Sequence, residues 1–321
     1  MKTLAGVGCA LALAVSALPA AAQSYPSKTL RIVVAFPAGG PIDIVARLLA
    51  PKLAENMGQQ VIVDNRAGAN GAIGTEHVAR SAPDGYTMYL ASPSAIAINP
   101  AVTRVPFDTL RDLAGVSLVS TTPELLVVHP SVPARSVKAL VALAQAQPGK
   151  IVMASTGTGG LPHLALELFK SAAGIDMLHV PYKGAAPAVA DVIGGQVHGI
   201  FADLPVLLPH VTAGKLRALA VASPRRAPLL PDLPTMTEQG LPSVEAVNWY
   251  GILVPARTPR EIISRLNEGI GKSLGDKELR DRLIERGADP LTSTPDQFTA
   301  FLRADMARWA KIVRDSGVRL E

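Results

Sequence analysis

The sequence predicts an α/β protein built as two hinged domains, each around a mostly parallel sheet. Three observations carry that reading. Apolar, β-branched runs pass directly into glycine loops and then into helical spacing; this order recurs in two separate stretches; and the chain beyond about residue 259 is helical without strands of its own. Strand, helix and strand in succession join parallel neighbours by a crossover, so two such stretches mean two sheets.

The elements follow in order. Residues 1–22 read as an export signal. Lys2 supplies a positive start, Leu4 to Leu18 an apolar stretch shorter than the ~18–20 residues a spanning helix needs, and Ala20-Ala21-Ala22 a cleavage site before Gln23. The protein is expected to work outside the cytoplasm, cut near Ala22. Cys9, the only cysteine, lies in that signal with Gly6 where a lipoprotein signal has an apolar residue, so lipidation is not expected. The mature chain has no disulfide and depends on its core.

Leu30 to Ala35 reads as a strand buried on both faces, running into Phe36-Pro37-Ala38-Gly39-Gly40-Pro41-Ile42-Asp43. Pro41 suits a first helical turn, Ile44, Val45, Leu48, Leu49 and Leu53 recur at helical spacing, and Gly58 is a stop. A second unit has strand Val61 to Val63, the loop Arg66 to Gly71 and a helix to about Ala79. The turn Pro83-Asp84-Gly85 and strand Tyr86 to Ala91 complete it, ending at Ser92-Pro93-Ser94-Ala95. In the middle stretch, a helix near Ser136 to Gln147 precedes strand Ile151 to Ala154, the loop Ser155-Thr156-Gly157-Thr158-Gly159-Gly160 and a helix from Leu161 to Ala173. Strand Met177 to Val180 leads to Pro181-Tyr182-Lys183-Gly184, strand His198 to Phe201 to Ala202-Asp203-Leu204-Pro205, and Leu216 to Ala222 is a further strand. The helices Pro259 to Leu274, Asp276 to Arg286 and Pro295 to Ser316 have no sheet to cover and are expected to pack back on the first domain.

Such a return requires two crossings, at Pro123 to His129 and at Val244 to Val254. They give a first domain of residues 23–123 plus 246–321 and a second of 124–245. Two crossings make a hinge, with a cleft where the carboxyl ends of the strands, their glycine loops and the helix starts face each other. Glycine lets the backbone approach a ligand, and the unpaired N–H groups of a first helical turn favour an anion. Phe36 to Asp43 and Ser155 to Gly160 are the best such loops, one in each domain. Asp203, at a strand's carboxyl end, reads either as a helix cap or as a partner for a ligand's amine or hydroxyl; Asp43 reads the same way. Trp249 and Tyr250 could stack on an aromatic acid or pack the hinge.

Composition narrows the partners. Lys and Arg number 31 against 26 Asp and Glu, and losing Lys2 leaves +4, a mild balance. Aromatics are 4% and no basic run is interleaved with them, so nucleic acid is not an expected partner. No H-E-x-x-H, G-x-S-x-G or Walker loop occurs; Gly271-Lys272-Ser273 has Leu266 where the leading glycine belongs, and Pro162 breaks a dinucleotide fingerprint begun at Gly157. The six histidines lack metal-ligand spacing, and only His163 gains from lying beside a glycine loop. No metal, cofactor or catalytic residue is expected.

Several ordered segments together resemble the Bug-type extracytoplasmic receptors of tripartite tricarboxylate transporters. They are Phe36-Pro37-Ala38-Gly39-Gly40 with Asp43, Val63-Asp64-Asn65-Arg66-Ala67-Gly68-Ala69, Pro83-Asp84-Gly85-Tyr86-Thr87, Ala97-Ile98-Asn99-Pro100, His179-Val180-Pro181-Tyr182-Lys183-Gly184 and Gly214-Lys215-Leu216-Arg217-Ala218-Leu219-Ala220. The resemblance spans the mature chain. It implies a two-domain periplasmic binding protein that holds a carboxylate through main-chain and hydroxyl donors. It points to Pro37, Ala38, Gly39 and Gly40, to Ser92, Ser94 and Ala95, and to Ser155, Thr156, Gly157, Gly159 and His163 as ligand-binding, with Asp203 the ambiguous addition. This chain departs from the family pattern at Thr158 to Pro162, and at Ala202-Asp203 where members often carry Asp-Asn. The expected protein is a monomeric periplasmic receptor that delivers a small organic carboxylate to membrane permease subunits. A cleft enzyme of the same shape, a hydrolase or isomerase, and a receptor that presents its ligand to a sensor are the alternatives.

Overall fold

The computed structural model describes residues 25–316, so the export signal and its cleavage site lie outside the described residues. The first run comprises β1 (Leu30–Val34), α1 (Pro41–Met57), β2 (Val61–Asn65), α2 (Ala72–Ala79) and β3 (Thr87–Ala91). A π-helical turn, Ser94–Ile98, continues into α3 (Asn99–Val102), and α4 (Thr109–Asp112) precedes β4 (Leu113–Val128), a strand of 16 residues. Next come α5 (Val137–Ala146), β5 (Val152–Ser155), α6 (Leu161–Ala173), β6 (Leu178–Pro181), α7 (Ala185–Ile193), β7 (Gly199–Asp203), α8 (Leu204–Thr212) and β8 (Arg217–Val221). The chain returns through β9 (Val247–Pro255), α9 (Arg260–Gly275), α10 (Lys277–Glu285), β10 (Asp289–Pro290) and α11 (Pro295–Ser316).

The strands lie in the order β2-β1-β3-β9-β4-β7-β5-β6. β1 is parallel to β2 and β3, and β5 is parallel to β6 and β7, as strand–loop–helix units require. Both sheets are mixed where the chain passes between them. β4 carries it out and β9 carries it back, so the two run antiparallel side by side. The partners of β4 change within one step: Pro123 faces Val247 of β9, whereas Glu124 faces Asp203 of β7.

Alternation along the strands assigns two cores to each sheet. Leu30, Ile32 and Val34 point toward α1, α9 and α10, where Leu49, Leu266 and Leu283 are buried, while Val33 and Ala35 face Val78 and Phe298. In the second sheet Leu126, Val128 and Met153 pack with Leu140 and Phe169 of α5 and α6, and Leu125, Val127 and Ala154 pack with Val189 and Leu207 of α7 and α8. The expectation that the last helices return to the first sheet holds for α9 and α10. α11 differs: Trp309 and Val313 are buried with Ile98, Leu161 and Leu164, so this helix spans the junction between the lobes. Its apolar stripe is long enough to be shared, because Leu302 and Phe298, two and three turns before Trp309, serve the first lobe. Among the described residues no helix is long and apolar enough to cross a membrane.

Candidate functional site

Between the lobes lies a cleft of about 710 Å³, solvent at its mouth included. One wall is the end of β1 and the first turn of α1, from Phe36 to Ile42. Gly40 is the N-cap and has no side chain to give; Pro41 follows it without an N–H, and no side chain caps this helix start. Gly39 adopts φ +79° and donates its N–H to Asp43 at 2.9 Å. Asp43 also accepts Arg47 Nε at 2.8 Å and Asn65 Nδ2 at 2.9 Å. Burial alone would raise its pKa, but the bonds from Arg47, Gly39 and Asn65 outweigh burial and hold the carboxyl below its usual value. Asp43 thus braces the loop from behind.

The opposite wall is Lys183 to Pro187, the turn from β6 into α7. Gly184 has φ +108° and donates its N–H to the Thr156 carbonyl at 3.2 Å, and α7 also begins with no side-chain cap. Lys183 is exposed and has no ion-pair partner among the described residues. The walls nearly meet: a Cβ built on Gly184 would lie 3.4 Å from Pro37 Cγ. Ser92, Ser94, Thr156 and Pro162 close one side.

Hydrogen bonds join the lobes at the 155–161 loop. Asn70 Nδ2 donates to the Gly159 carbonyl at 3.0 Å, and Ser94 Oγ accepts the Leu161 N–H at 3.0 Å. The second supplies what α6 lacks, because its own N-cap is Gly160.

The floor holds Ala202, Asp203, Asn248 and Tyr250. Asp203 accepts Thr122 Oγ1 at 2.9 Å and Asn248 Nδ2 at 2.9 and 3.2 Å. Glu124, opposite it on β4, is fully buried, and neither of its carboxyl oxygens has a hydrogen-bond partner. Burial pushes Glu124 well above the usual carboxylate range, with the charge of Asp203 adding to it, and burial pushes Asp203 up to about 6 against the donors around it. Glu124 is therefore the harder of the two to ionise. Among the described residues no three His, Cys, Asp or Glu side chains are placed to hold a metal ion.

Of the residues expected from the sequence, Pro37, Ala38, Gly40, Ser92, Ser94, Thr156 and Asp203 line this cleft. Gly39, Ala95, Ser155, Gly157, Gly159 and His163 do not. Ala95 is fully buried against Gly71. The 155–160 loop spends its polar groups on itself: Ser155 Oγ donates to Gly157 O at 2.9 Å and lies 2.6 Å from His179 Nε2, and Gly159 N–H donates to His163 Nδ1 at 3.0 Å. His163 stacks on His179 with ring centroids 4.0 Å apart. With the Leu161 N–H taken by Ser94, this loop is a strut between lobes, and the turn at Lys183 to Pro187 occupies the facing wall instead. Those residues had a visible signal, small residues at a strand-to-helix turn; Asn248 and Tyr250, mid-strand, had none.

A family model described as "Tripartite tricarboxylate transporter family receptor" matches residues 45–318. The chain is 39% identical to "Protein BugT" of Bordetella pertussis, over 100% of this chain and 99% of that one. Among solved structures, it is similar to "R. palustris Rpa4515 with adipate" at TM-score 0.88 and 36% identity, covering 91% of this chain and 98% of that one. It is also similar to MatC (Rpa3494) of Rhodopseudomonas palustris with bound malate, at TM-score 0.84 and 28% identity, covering 90% and 100%.

Proposed function

As a chain that belongs to the tripartite tricarboxylate transporter receptor family, this protein, we propose, binds a small organic carboxylate in its interlobe cleft and hands it to the permease subunits of such a transporter. The family consists of periplasmic solute receptors, not enzymes. The observation that carries the ligand class is the pair of helix starts, α1 and α7, that reach the cleft from opposite walls with no side-chain cap. Their first-turn N–H groups and dipoles favour negative charge, and Lys183 adds a full one of the opposite sign. Adipate in Rpa4515 and malate in MatC support the same class.

In this reading Pro37, Ala38 and Gly40 with Ile42 take one side of the ligand and Lys183 to Ala186 the other, with Ser92 and Thr156 as hydroxyl donors. The lobes, residues 23–123 plus 246–321 and residues 124–245, close about the change of partners at Pro123 and Glu124, and the receptor acts as a monomer in the periplasm. A thermal-shift panel of mono- and dicarboxylates, amino acids and neutral sugars on the mature chain tests it. A cognate carboxylate at one hundred times its dissociation constant stabilises the fold by about 2.7 kcal/mol. A shift with a neutral sugar and none with any acid rejects the proposal.

A further inference from the structure

We infer that the ligand is an amino carboxylate, whose ammonium sits against Asp203 and Asn248 Oδ1 at the cleft floor while its carboxylate meets the helix starts. The inference rests on the carboxylate reading above and adds what the other end of the molecule must be.

Asp203 and Glu124 face each other on neighbouring strands, 5% and 0% exposed. The groups packed around Asp203 are Thr122 and Glu124 from β4 and Asn248 and Tyr250 from β9, and not one of them is a cation. Neither acid has a salt-bridge partner among the described residues. An acid pair that shares one proton still carries one buried charge, with no cation beside it, and the missing charge is one a ligand can bring. The second observation is independent. Asn248 is 5% exposed, and its amide is oriented by giving Nδ2 to both oxygens of Asp203, which leaves Oδ1 buried without a hydrogen-bond partner. The floor thus carries one uncompensated acid, Asp203, and one acceptor without a donor, Asn248 Oδ1. An ammonium brings charge and three N–H donors; a hydroxyl brings one donor and no charge; a second carboxylate would add a third acid to the pair. Pro162, Ala186 and Val206 around the cleft suit a short carbon chain between the two ends.

The test is calorimetry on the ligand-stripped mature chain with acids of equal length that differ in one group: 5-aminopentanoate and 2-aminopentanoate, 5-hydroxypentanoate, and glutarate, with the same sets one and two carbons shorter and longer. An amino carboxylate binding at least about tenfold tighter than the hydroxy acid and dicarboxylate of its length, with that preference lost in Asp203→Asn, is the expected result. A dicarboxylate or hydroxy acid that binds as tightly overturns the inference and leaves the carboxylate reading standing, as does a preference unchanged in Asp203→Asn. Binding of a neutral sugar and of no acid overturns both. The wild-type panel decides the matter even where Asp203→Asn fails to fold.

Discussion

Ser94 Oγ accepts the N–H of Leu161 at 3.0 Å, so a side chain at the start of the π-helical turn after β3 caps a helix of the opposite lobe. Capping bonds contribute about 1 kcal/mol, and this one exists only while the lobes are together. Ser94→Ala is expected to lower stability by about that amount and to widen the ligand-free molecule. Small-angle scattering with and without ligand reads the width, and urea titration the stability. An unchanged profile in a variant that also lacks the Asn70 bond, Ser94→Ala with Asn70→Ala, would mean that the Asp203 bonds at the floor and the buried contacts of α11 suffice to hold the lobes together.

Gly39 and Gly159 adopt φ of +79° and +72°. Around Gly39 a Cβ would meet nothing within 4 Å, so the cost of a side chain there is purely the backbone's. Gly39→Val is expected to cost about 1–2 kcal/mol and Gly39→Asn clearly less, because Asn tolerates the left-handed region. Equal losses in urea unfolding would point to a cause other than φ.

His163 and His179, stacked and largely buried, both have pKa values pushed down to about 4, by burial first, then by Lys170 for His163 and chiefly by His163 for His179. In the unfolded chain they take up protons near pH 6.5, in the folded one only near 4. The unfolded state therefore binds more protons in that window, and stability falls as pH drops from 6.5 to 4, by up to about 1.4 kcal/mol per pH unit for each histidine. Asp203, raised to about 6, acts in the opposite sense between 4 and 6. Comparing wild type with His163→Gln/His179→Gln cancels that carboxyl contribution, and the variant should lose stability less steeply with acid.

Trp249 Nε1 donates to Asp305 at 2.8 Å while its ring meets Phe298 and Phe301 edge-on, and the residue is 2% exposed. It packs the return strand and is absent from the cleft, whereas its neighbour Tyr250 lines it. Trp249→Phe leaves the Asp305 carboxyl short of a donor in a buried setting, which costs about 1–3 kcal/mol, with ligand affinity unchanged. A loss of affinity at constant stability would instead put the indole against the ligand.

Strand and helix were legible wherever periodicity and punctuation agreed: Leu161 to Ala173 forms α6 end to end because Gly160, Pro162 and Gly174 mark it. β4 was less so. Only its second half looked like a crossing, because Gly115 and Ser117 to Ser120 interrupt the apolar run, yet these small residues are where Phe298 and Ser293 pack closely. In the cleft, residues at strand ends were legible through their loops. That Thr156 alone of 155–160 lines the cleft has a physical cause: a glycine loop at a helix start signals free N–H groups, but whether a neighbour such as Ser94 or His163 has already taken them is decided by contacts 67 and 4 positions apart in the chain. Asn248 belongs to the site through the pairing of β9 with β4, which no local pattern encodes.

The position of β9 also sets an order of assembly. β9 lies between β3 and β4 and is antiparallel to both, so the first sheet cannot join its two halves until residues 247–255 have left the ribosome or the export channel. The second sheet needs only β4 through β8, a continuous segment with its own apolar layers. A nascent chain would therefore condense its middle first and hold β1 to β3 as an unsealed edge until β9 docks. That makes β9 the slow, long-range closure of folding and the unsealed β3 edge the place where a stalled chain would aggregate.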